Sequence, residues 1–600
     1  MKRMLCFIAL LTMVILTTPV RMFGDTVDVA AVPPGNFNTV INGDTLAGGV
    51  RAHPDRVYRL KRGSVYQVTE ALNINGSLHI VADNGTGRPP VLAAAILQDN
   101  SSIDHFMTFI GPGAKVEIKN VYILSARADG AALGWSDGIR LNADSIQMTL
   151  KGDIFDAFTH TAIQGNGQWA KLNVQDCVFR NEMHSTSWFG GGGYLTGAPV
   201  AQDTCVFINN TFFCNNSYNW SIRGYSPHAE FSHNTMVYET VNPFLIRSAQ
   251  NLYMDNNLFY AVHAMGGNPE HVINGWFLNY PDTASSSIIR VRPDDSTSYW
   301  SHLWDATIAG PALADVDPSN GVTADMLTPD KRVYDIRNNA YFWPTKLTDF
   351  YKAYNDTVAI YDTVNVPDYG QPNEVPKYLK RILYMPTWMS AYTKYTLDTA
   401  LAGISTINVS GNVETDPGFN TDIQNQLDNL ISYIHKISTS ALDTPWYYHS
   451  SASLYPTGGP VWPLAEDLSY TNADLMHAGT DGFALGDLNW FPTQKAEWEQ
   501  YITDVNDNKP TAPTKFSLSQ NYPNPFNPTT RITFNLEKSG FARLSVYNIL
   551  GQKVATLISG NLSAGQHEVN FNATNLSTGV YIYKLESGNN TSIKKMMLLK

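Results

Sequence analysis

Five short segments of this chain share one pattern: Gly138-Ile139-Arg140, Ala162-Ile163-Gln164, Tyr194-Leu195-Thr196, Ser221-Ile222-Arg223 and Leu245-Ile246-Arg247. In each, an aliphatic residue precedes one that could do chemistry. Neighbours in a β-strand point to opposite faces, so an inward Ile or Leu turns the next residue outward. Arg140, Gln164, Thr196, Arg223 and Arg247 then form a column. On adjacent strands Arg223 and Arg247 would stand about 5 Å apart. Two guanidiniums at that spacing repel, which calls for an anion: an acidic side chain from a nearby loop or an acidic ligand. A cation that neutralises a carboxylate beside a base that removes the α-proton is what eliminative cleavage of a uronate polysaccharide requires. Trp135, Trp169, Trp188 and Trp220 lie in the loops or just before these strands. Their faces would suit sugar rings, and packing of loops on the scaffold would use them equally well. The candidate contacts for an acidic polysaccharide are Arg140, Gln164, Arg223, Arg247 and Trp220.

Other chemistry-bearing residues are less organised. His160, His184, His228 and His233 share no metal-ligand spacing and read as structural or solvent-facing, and no metal-ligand set is assigned. Asp315-Val316-Asp317-Pro318-Ser319-Asn320-Gly321 leaves room for a Ca²⁺ loop. It fails the EF-hand pattern, because its Gly is displaced and Met326 stands where the bidentate Glu belongs. No Lys-Ser/Thr follows Gly190-Gly191-Gly192-Gly193, so that run is a loop tip with no phosphate-binding role. Cys6 lies in the N-terminal leader. The remaining Cys177, Cys205 and Cys214 are odd in number, so full pairing is excluded. They read as three small buried side chains, with a Cys205–Cys214 bridge as the alternative.

The elements that position these residues are repeats. Ile118-Lys119-Asn120-Val121-Tyr122, Lys151-Gly152-Asp153-Ile154-Phe155, Gln175-Asp176-Cys177-Val178-Phe179, Asn209-Asn210-Thr211-Phe212-Phe213, His233-Asn234-Thr235-Met236-Val237 and Asp255-Asn256-Asn257-Leu258-Phe259 vary one theme: small polar residues, then two large apolar ones. With Lys119, Gly152, Asp176, Asn210, Asn234 and Asn256 taken as equivalent, the spacings are 33, 24, 34, 24 and 22. Several short strands per period, without a sustained helical period, predict an all-β solenoid. Its coils stack about 4.8 Å apart, with apolar columns inside and Asn, Thr and Asp bonding up the turns. Further copies occur at Arg337-Asn338-Asn339-Ala340-Tyr341-Phe342 and Ser410-Gly411-Asn412-Val413. Two insertions, about 261–335 and 343–405, separate them and would wall one side of the solenoid. Thr421 to Ile437 is the one helix expected, with a Thr421/Gln424 capping box and an apolar face of Ile423, Leu427, Leu430, Ile431 and Ile434.

Residues 503–515 turn polar and Pro-bearing, as a linker does. Beyond it, residues 516–600 alternate as a small antiparallel β-sandwich. The expected order is a signal peptide at 1–24, the solenoid at 25–502, the linker and the sandwich. Lys2 and Arg3 before an apolar run from Leu5 to Leu16 give the leader its secretory character, and that run is too short to span a bilayer. No later stretch reaches about 20 uninterrupted apolar residues, so the mature chain is expected to lack a transmembrane helix. Charged residues are only 16% and the net charge is −12, which disfavours nucleic acid as a partner.

The tail resembles a known family. Phe516-Ser517-Leu518-Ser519-Gln520-Asn521-Tyr522-Pro523-Asn524-Pro525-Phe526-Asn527-Pro528, then Val546-Tyr547-Asn548-Ile549-Leu550-Gly551-Gln552, Leu562-Ser563-Ala564-Gly565 and Ser577-Thr578-Gly579-Val580-Tyr581, are similar to the type A C-terminal sorting domain of the type IX secretion system. The resemblance implies a Gram-negative bacterium of Bacteroidota type, export across both membranes, and a tail that is cleaved off or exchanged for a lipid anchor. The body, about 40–500, resembles the pectate-lyase-like superfamily in architecture, which implies a right-handed parallel β-helix. None of that superfamily's catalytic motifs is intact: Ser136-Asp137-Gly138-Ile139 lacks the paired Asp and the Gly-His-Gly of polygalacturonases. Two functions are therefore weighed: a secreted polysaccharide lyase acting on acidic glycan, and a non-catalytic surface adhesin that binds glycan.

Overall fold

The computed structural model describes residues 25–600, apart from short internal stretches of which the longest are 265–286, 293–305, 308–320, 367–376, 439–459 and 508–516. The chain divides into two compact units, Met1–Lys495 and Ala496–Lys600.

The first unit is a parallel β-helix of three sheets, with eleven, ten and seven strands, here sheets I, II and III. One coil runs Asp137–Leu141 on sheet III, Gln147–Lys151 on sheet I and Ile154–Asp156 on sheet II, and the next begins at Thr161–Gly165 on sheet III. Every ladder in these sheets is parallel; sheet I, for example, sets Met148 on Leu172, Leu172 on Cys205 and Cys205 on Ala229. Apolar residues therefore stack in columns. On sheet II, Phe155, Phe179 and Phe212 lie face to face, with centroids 5.1 and 4.9 Å apart and planes within 8°. Such offset stacks contribute beyond their buried area.

The turn between sheets I and II carries the repeat. Asn120, Gly152, Asp176, Asn209, His233, Asn256, Asn338 and Gly411 all adopt left-handed backbone, with φ between 49° and 68°. Gly and Asn tolerate that conformation best, and at Gly152 an added Cβ would also strike Asn120 Oδ1 at 2.6 Å. These are the equivalent positions, so the sequence alignment was one residue off at Lys119, Asn210 and Asn234. The residue after each turn position is the laddered one. Asn210 Nδ2 donates to Asn234 Oδ1 at 2.9 Å, Asn234 to Asn257 at 3.2 Å, Asn257 to Asn339 at 2.8 Å and Asn339 to Asn412 at 2.8 Å. Asp153 stands earlier in this column and accepts the backbone N–H of Val121 and of Lys151. Burial pushes its carboxyl up to about 8.

Helices occur beyond the one expected. Thr345–Thr357 and Pro492–Asp507 are helical, the second running into the stretch read as linker. The expected helix begins at Thr421, but its N-cap is Asn420, which accepts from Asp422 N and Ile423 N, and it is interrupted at Gln426 into Thr421–Asn425 and Leu427–Ser438.

Residues 462–495 lie along the solenoid as a strap. From Ala478 to Lys495 they meet the left-handed turn residues one after another in reverse chain order. Ala478 O accepts from Asn338 Nδ2 at 2.7 Å, Thr480 N donates to Asn256 Oδ1 at 2.7 Å, and Asp481 pairs with His233 Nε2 at 2.8 Å. Leu488 N donates to Asn209 Oδ1 at 2.6 Å, and Lys495 Nζ reaches Asp176 at 2.5 Å. Earlier in the strap, Glu466 holds Arg180 through an ion-pair contact of 2.7 Å and a hydrogen bond of 2.8 Å.

The His233–Asp481 contact gives a pH dependence. Burial alone would lower the His233 pKa, but the charge and hydrogen bond of Asp481 outweigh it and the net shift is upward. A raised folded-state value means the contact contributes fully below the ordinary histidine value of about 6.5 and is lost as pH rises through the raised value. Strap attachment, read by limited proteolysis within 462–495, should therefore weaken as pH rises through and above neutrality. His233→Gln should flatten that profile; an unchanged profile in the variant would refute the assignment.

The second unit is a sandwich of two antiparallel sheets, one of three strands and one of four. Its core includes Ile532, Phe534, Leu544, Val546, Phe571, Tyr583, Leu585 and Leu598.

Candidate functional site

The predicted arginine column does not hold its register. Arg140 pairs with Gln164 on the next coil and with Thr108 on the previous one. Gln164 then faces Leu195, not Thr196, and Leu195 faces Ser221. The physical reason is the inward column Ile163–Tyr194–Trp220–Phe244, which is aligned by the ladders and buried throughout. Burying these aromatics stabilises more than burying Leu195. Trp220 is thus 0% exposed, with its indole N–H donating to Cys205 Sγ at 3.1 Å, and it offers no face to a sugar. Arg223 and Arg247 fall where the ladder skips between the pairs Ile222–Ile246 and Tyr225–Ser248; their side chains lie outside the described residues. Trp188, His184 and the Asp315–Asn320 stretch also lie outside them. Cys177, Cys205 and Cys214 are free and buried, so the bridge is not formed.

Around Arg140 the structure assembles a polar group that the sequence pattern did not show. Arg140 Nε donates to Asp137 Oδ2 at 2.7 Å, Nη1 approaches His105 Nδ1 at 3.0 Å, and Nη2 donates to Asp104 Oδ2 at 3.2 Å. The other oxygen of Asp137 takes His160 Nδ1 at 2.5 Å. The carboxylate can only accept, so Nδ1 donates to it, and in the neutral ring the lone pair is on Nε2. Trp135 stacks on the His160 ring, with centroids 4.3 Å apart, while remaining 49% exposed. The turn beneath is fixed by hydroxyls: Ser136 Oγ bonds Ser125 Oγ at 2.7 Å and Thr159 Oγ1 at 3.0 Å, and Thr159 Oγ1 accepts from Ser136 N. Close strand approach tightens the site further, since a Cβ on Gly138 would lie 2.4 Å from Ala162 O.

The electrostatics follow from burial. The Asp137 side chain is 2% exposed and that of Asp104 is 64% exposed. Desolvation raises the Asp104 carboxyl, but His105 and Arg140 outweigh it and hold it below the ordinary value. Desolvation likewise opposes the Arg140 charge, and Asp137 and Asp104 raise its pKa overall. The signal that could have revealed this group is the pair of residues opening each sheet III segment: Asp104-His105, Ser136-Asp137 and Thr159-His160.

A second polar group stands on sheet I. Glu230, Tyr253 and Asp335 share one column, each three residues before a left-handed turn residue. His228 Nε2 lies 3.3 Å from the fully buried Glu230, and Arg337 Nε donates to Asp335. Burial raises the Glu230 carboxyl, with His228 opposing that shift. Among the described residues no group of three or more His, Cys, Asp or Glu is placed to hold a metal ion, and no helix is long and apolar enough to cross a membrane.

Comparison with known proteins locates a family in the tail. Residues 520–599 match the family model described as a secretion system C-terminal sorting domain. The chain thus carries a type IX sorting domain, the mark of a secreted or cell-surface protein of Bacteroidota-type bacteria and a point of contact with the export machinery. No curated protein matches the chain.

Proposed function

We propose that this chain, brought to the cell surface by its sorting domain, is a carbohydrate-active protein that lays an acidic, uronate-containing polysaccharide across sheet III and cleaves it by elimination. The observation that supports this is the joint anchoring of His160 and Arg140 on one buried carboxylate, Asp137, beside the half-exposed ring of Trp135. Trp135 offers a sugar platform. Arg140 is the cation for the uronate carboxylate. His160 Nε2 takes the proton on the carbon α to that carboxylate. The electron pair left behind forms the new carbon–carbon double bond, the bond to the leaving glycosidic oxygen breaks, and that oxygen takes a proton from solvent. Gln164 extends the face on the next coil, and Arg223 and Arg247 lie on the same sheet three and four coils beyond Arg140.

One observation favours a second reading, a non-catalytic glycan-binding adhesin: Arg140 already has an acceptor or near neighbour at each of its three nitrogens. The full chain incubated with polygalacturonate, alginate and chondroitin separates the two. The lyase yields the ultraviolet absorbance of unsaturated uronide, His160→Gln lowers the rate by about 10²–10⁴-fold, and Trp135→Ala raises KM by about 2- to 10-fold. Binding that Trp135→Ala weakens, with no product on any of the three, decides for the adhesin.

A further inference from the structure

Arg140 is held on two sides that differ in kind. The inner side is Asp137, buried and 2.7 Å away. The outer side is Asp104, exposed and 3.2 Å away. Between them His105 Nδ1 has two claimants: Arg140 Nη1 at 3.0 Å and Asp104 Oδ1 at 2.7 Å. A single ring nitrogen either carries a hydrogen or presents a lone pair. If Nδ1 accepts from Arg140, it faces Asp104 as a second acceptor. If it donates to Asp104, it faces the Arg140 N–H as a second donor. One of the two contacts is therefore unsatisfied in either tautomer. Asp104 is the partner that can relieve this at little cost, because its carboxylate is already mostly hydrated and an exposed ion pair of this kind contributes little. Asp137 cannot leave without abandoning a buried charge.

We propose that Asp104 is a built-in stand-in for a substrate carboxylate: it occupies the outer nitrogen of Arg140 in the free protein and is displaced by the carboxylate of an acidic sugar. This rests on the reading of sheet III as a glycan site and adds a selectivity device to it. A neutral sugar cannot displace Asp104, because it brings no charge to replace it. An acidic sugar exchanges one Arg–carboxylate contact for another and frees His105 from its double claim. Asp104 is here a specificity residue and has no part in proton transfer.

The test uses the full-length protein and two probes, an oligogalacturonate and the same oligosaccharide with its carboxyls reduced. Asp104→Ala should tighten binding of the acidic probe by about 2- to 5-fold, the equivalent of the exposed pair it removes, and leave the neutral probe unchanged. Asp99→Asn removes an exposed carboxylate five residues away that bonds Ser101, and so reports the general effect of one less negative charge. A gain in Asp104→Ala that exceeds the gain in Asp99→Asn and is confined to the acidic probe supports the proposal. Equal gains in both variants, or none in Asp104→Ala while Trp135→Ala still weakens binding, overturn this inference alone. Failure of the acidic probe to bind in any Trp135-dependent way overturns it together with the sheet III reading.

Discussion

Arg180→Ala is expected to destabilise the solenoid by about 3–5 kcal/mol, the cost of removing one partner from a buried ion pair. Arg180 donates to Asp156 at 3.0 Å and grips both oxygens of Glu466 on the strap, and Asp156 also accepts from Tyr122 and Asn181. Asp156 and Glu466 are both fully buried. Burial already lifts the Glu466 carboxyl above its ordinary value, with Arg180 the main opposing influence. Without the guanidinium, two carboxylates share a dry site. The deficit should shrink as pH falls, because a carboxylate with a raised folded-state pKa destabilises above its unfolded value and stops doing so once protonated. Solenoids need not unfold in two states, so the comparison is of the urea midpoint together with protease cleavage within 462–495. A shift no larger than that of an exposed control would show that the strap is not held at Glu466.

The second large effect belongs to the asparagine ladder. Asn257 accepts from Asn234 N at 2.8 Å and from Asn234 Nδ2 at 3.2 Å, and it donates to Phe231 O at 2.7 Å and to Asn339 Oδ1 at 2.8 Å. Its side chain is fully buried. Asn257→Ala takes the acceptor from Asn234 N in a site closed to water, while Asn234 Nδ2 keeps Phe207 O and Ser232 O and Asn339 Oδ1 keeps the backbone N–H of residue 257. At about 1–3 kcal/mol for one buried unsatisfied group, the net loss should be about 1–3 kcal/mol. Asn412 makes the same kind of contacts where the ladder meets its last described member, at a partly exposed site. Asn412→Ala should cost distinctly less, because water can replace what is lost there. Equal midpoints for the two variants would mean that ladder position carries no energetic weight.

The solenoid was legible because its pattern is redundant: a small polar pair before two apolar residues, repeated coil after coil, is difficult to satisfy otherwise. The one-residue error at Lys119, Asn210 and Asn234 has a chemical origin. The left-handed residue and the laddered residue are neighbours and draw on the same small polar types, so only backbone φ separates Asn209 from Asn210 or His233 from Asn234. The misplaced arginine column has another. Loop lengths before sheet III vary, and register there is decided by which residue fills the interior; Tyr194, Trp220 and Phe244 won. The site was half legible. Arg140 was found from its strand, but Asp104, His105, Asp137 and His160 come from the starts of three different coils and meet only through stacking. The strap was not legible, because its polar contacts are scattered over a segment with no period of its own.

That strap also decides how the molecule responds to pulling. A bare solenoid tugged at its last coil would peel one coil at a time, each yielding under a small load. Here Lys495, at the end of the strap, is paired with Asp176, and the residues before it are fastened in turn at Asn209, His233, Asn256 and Asn338. Tension arriving through the tail therefore enters near the middle of the stack and runs along the strap in shear, with several bonds resisting together.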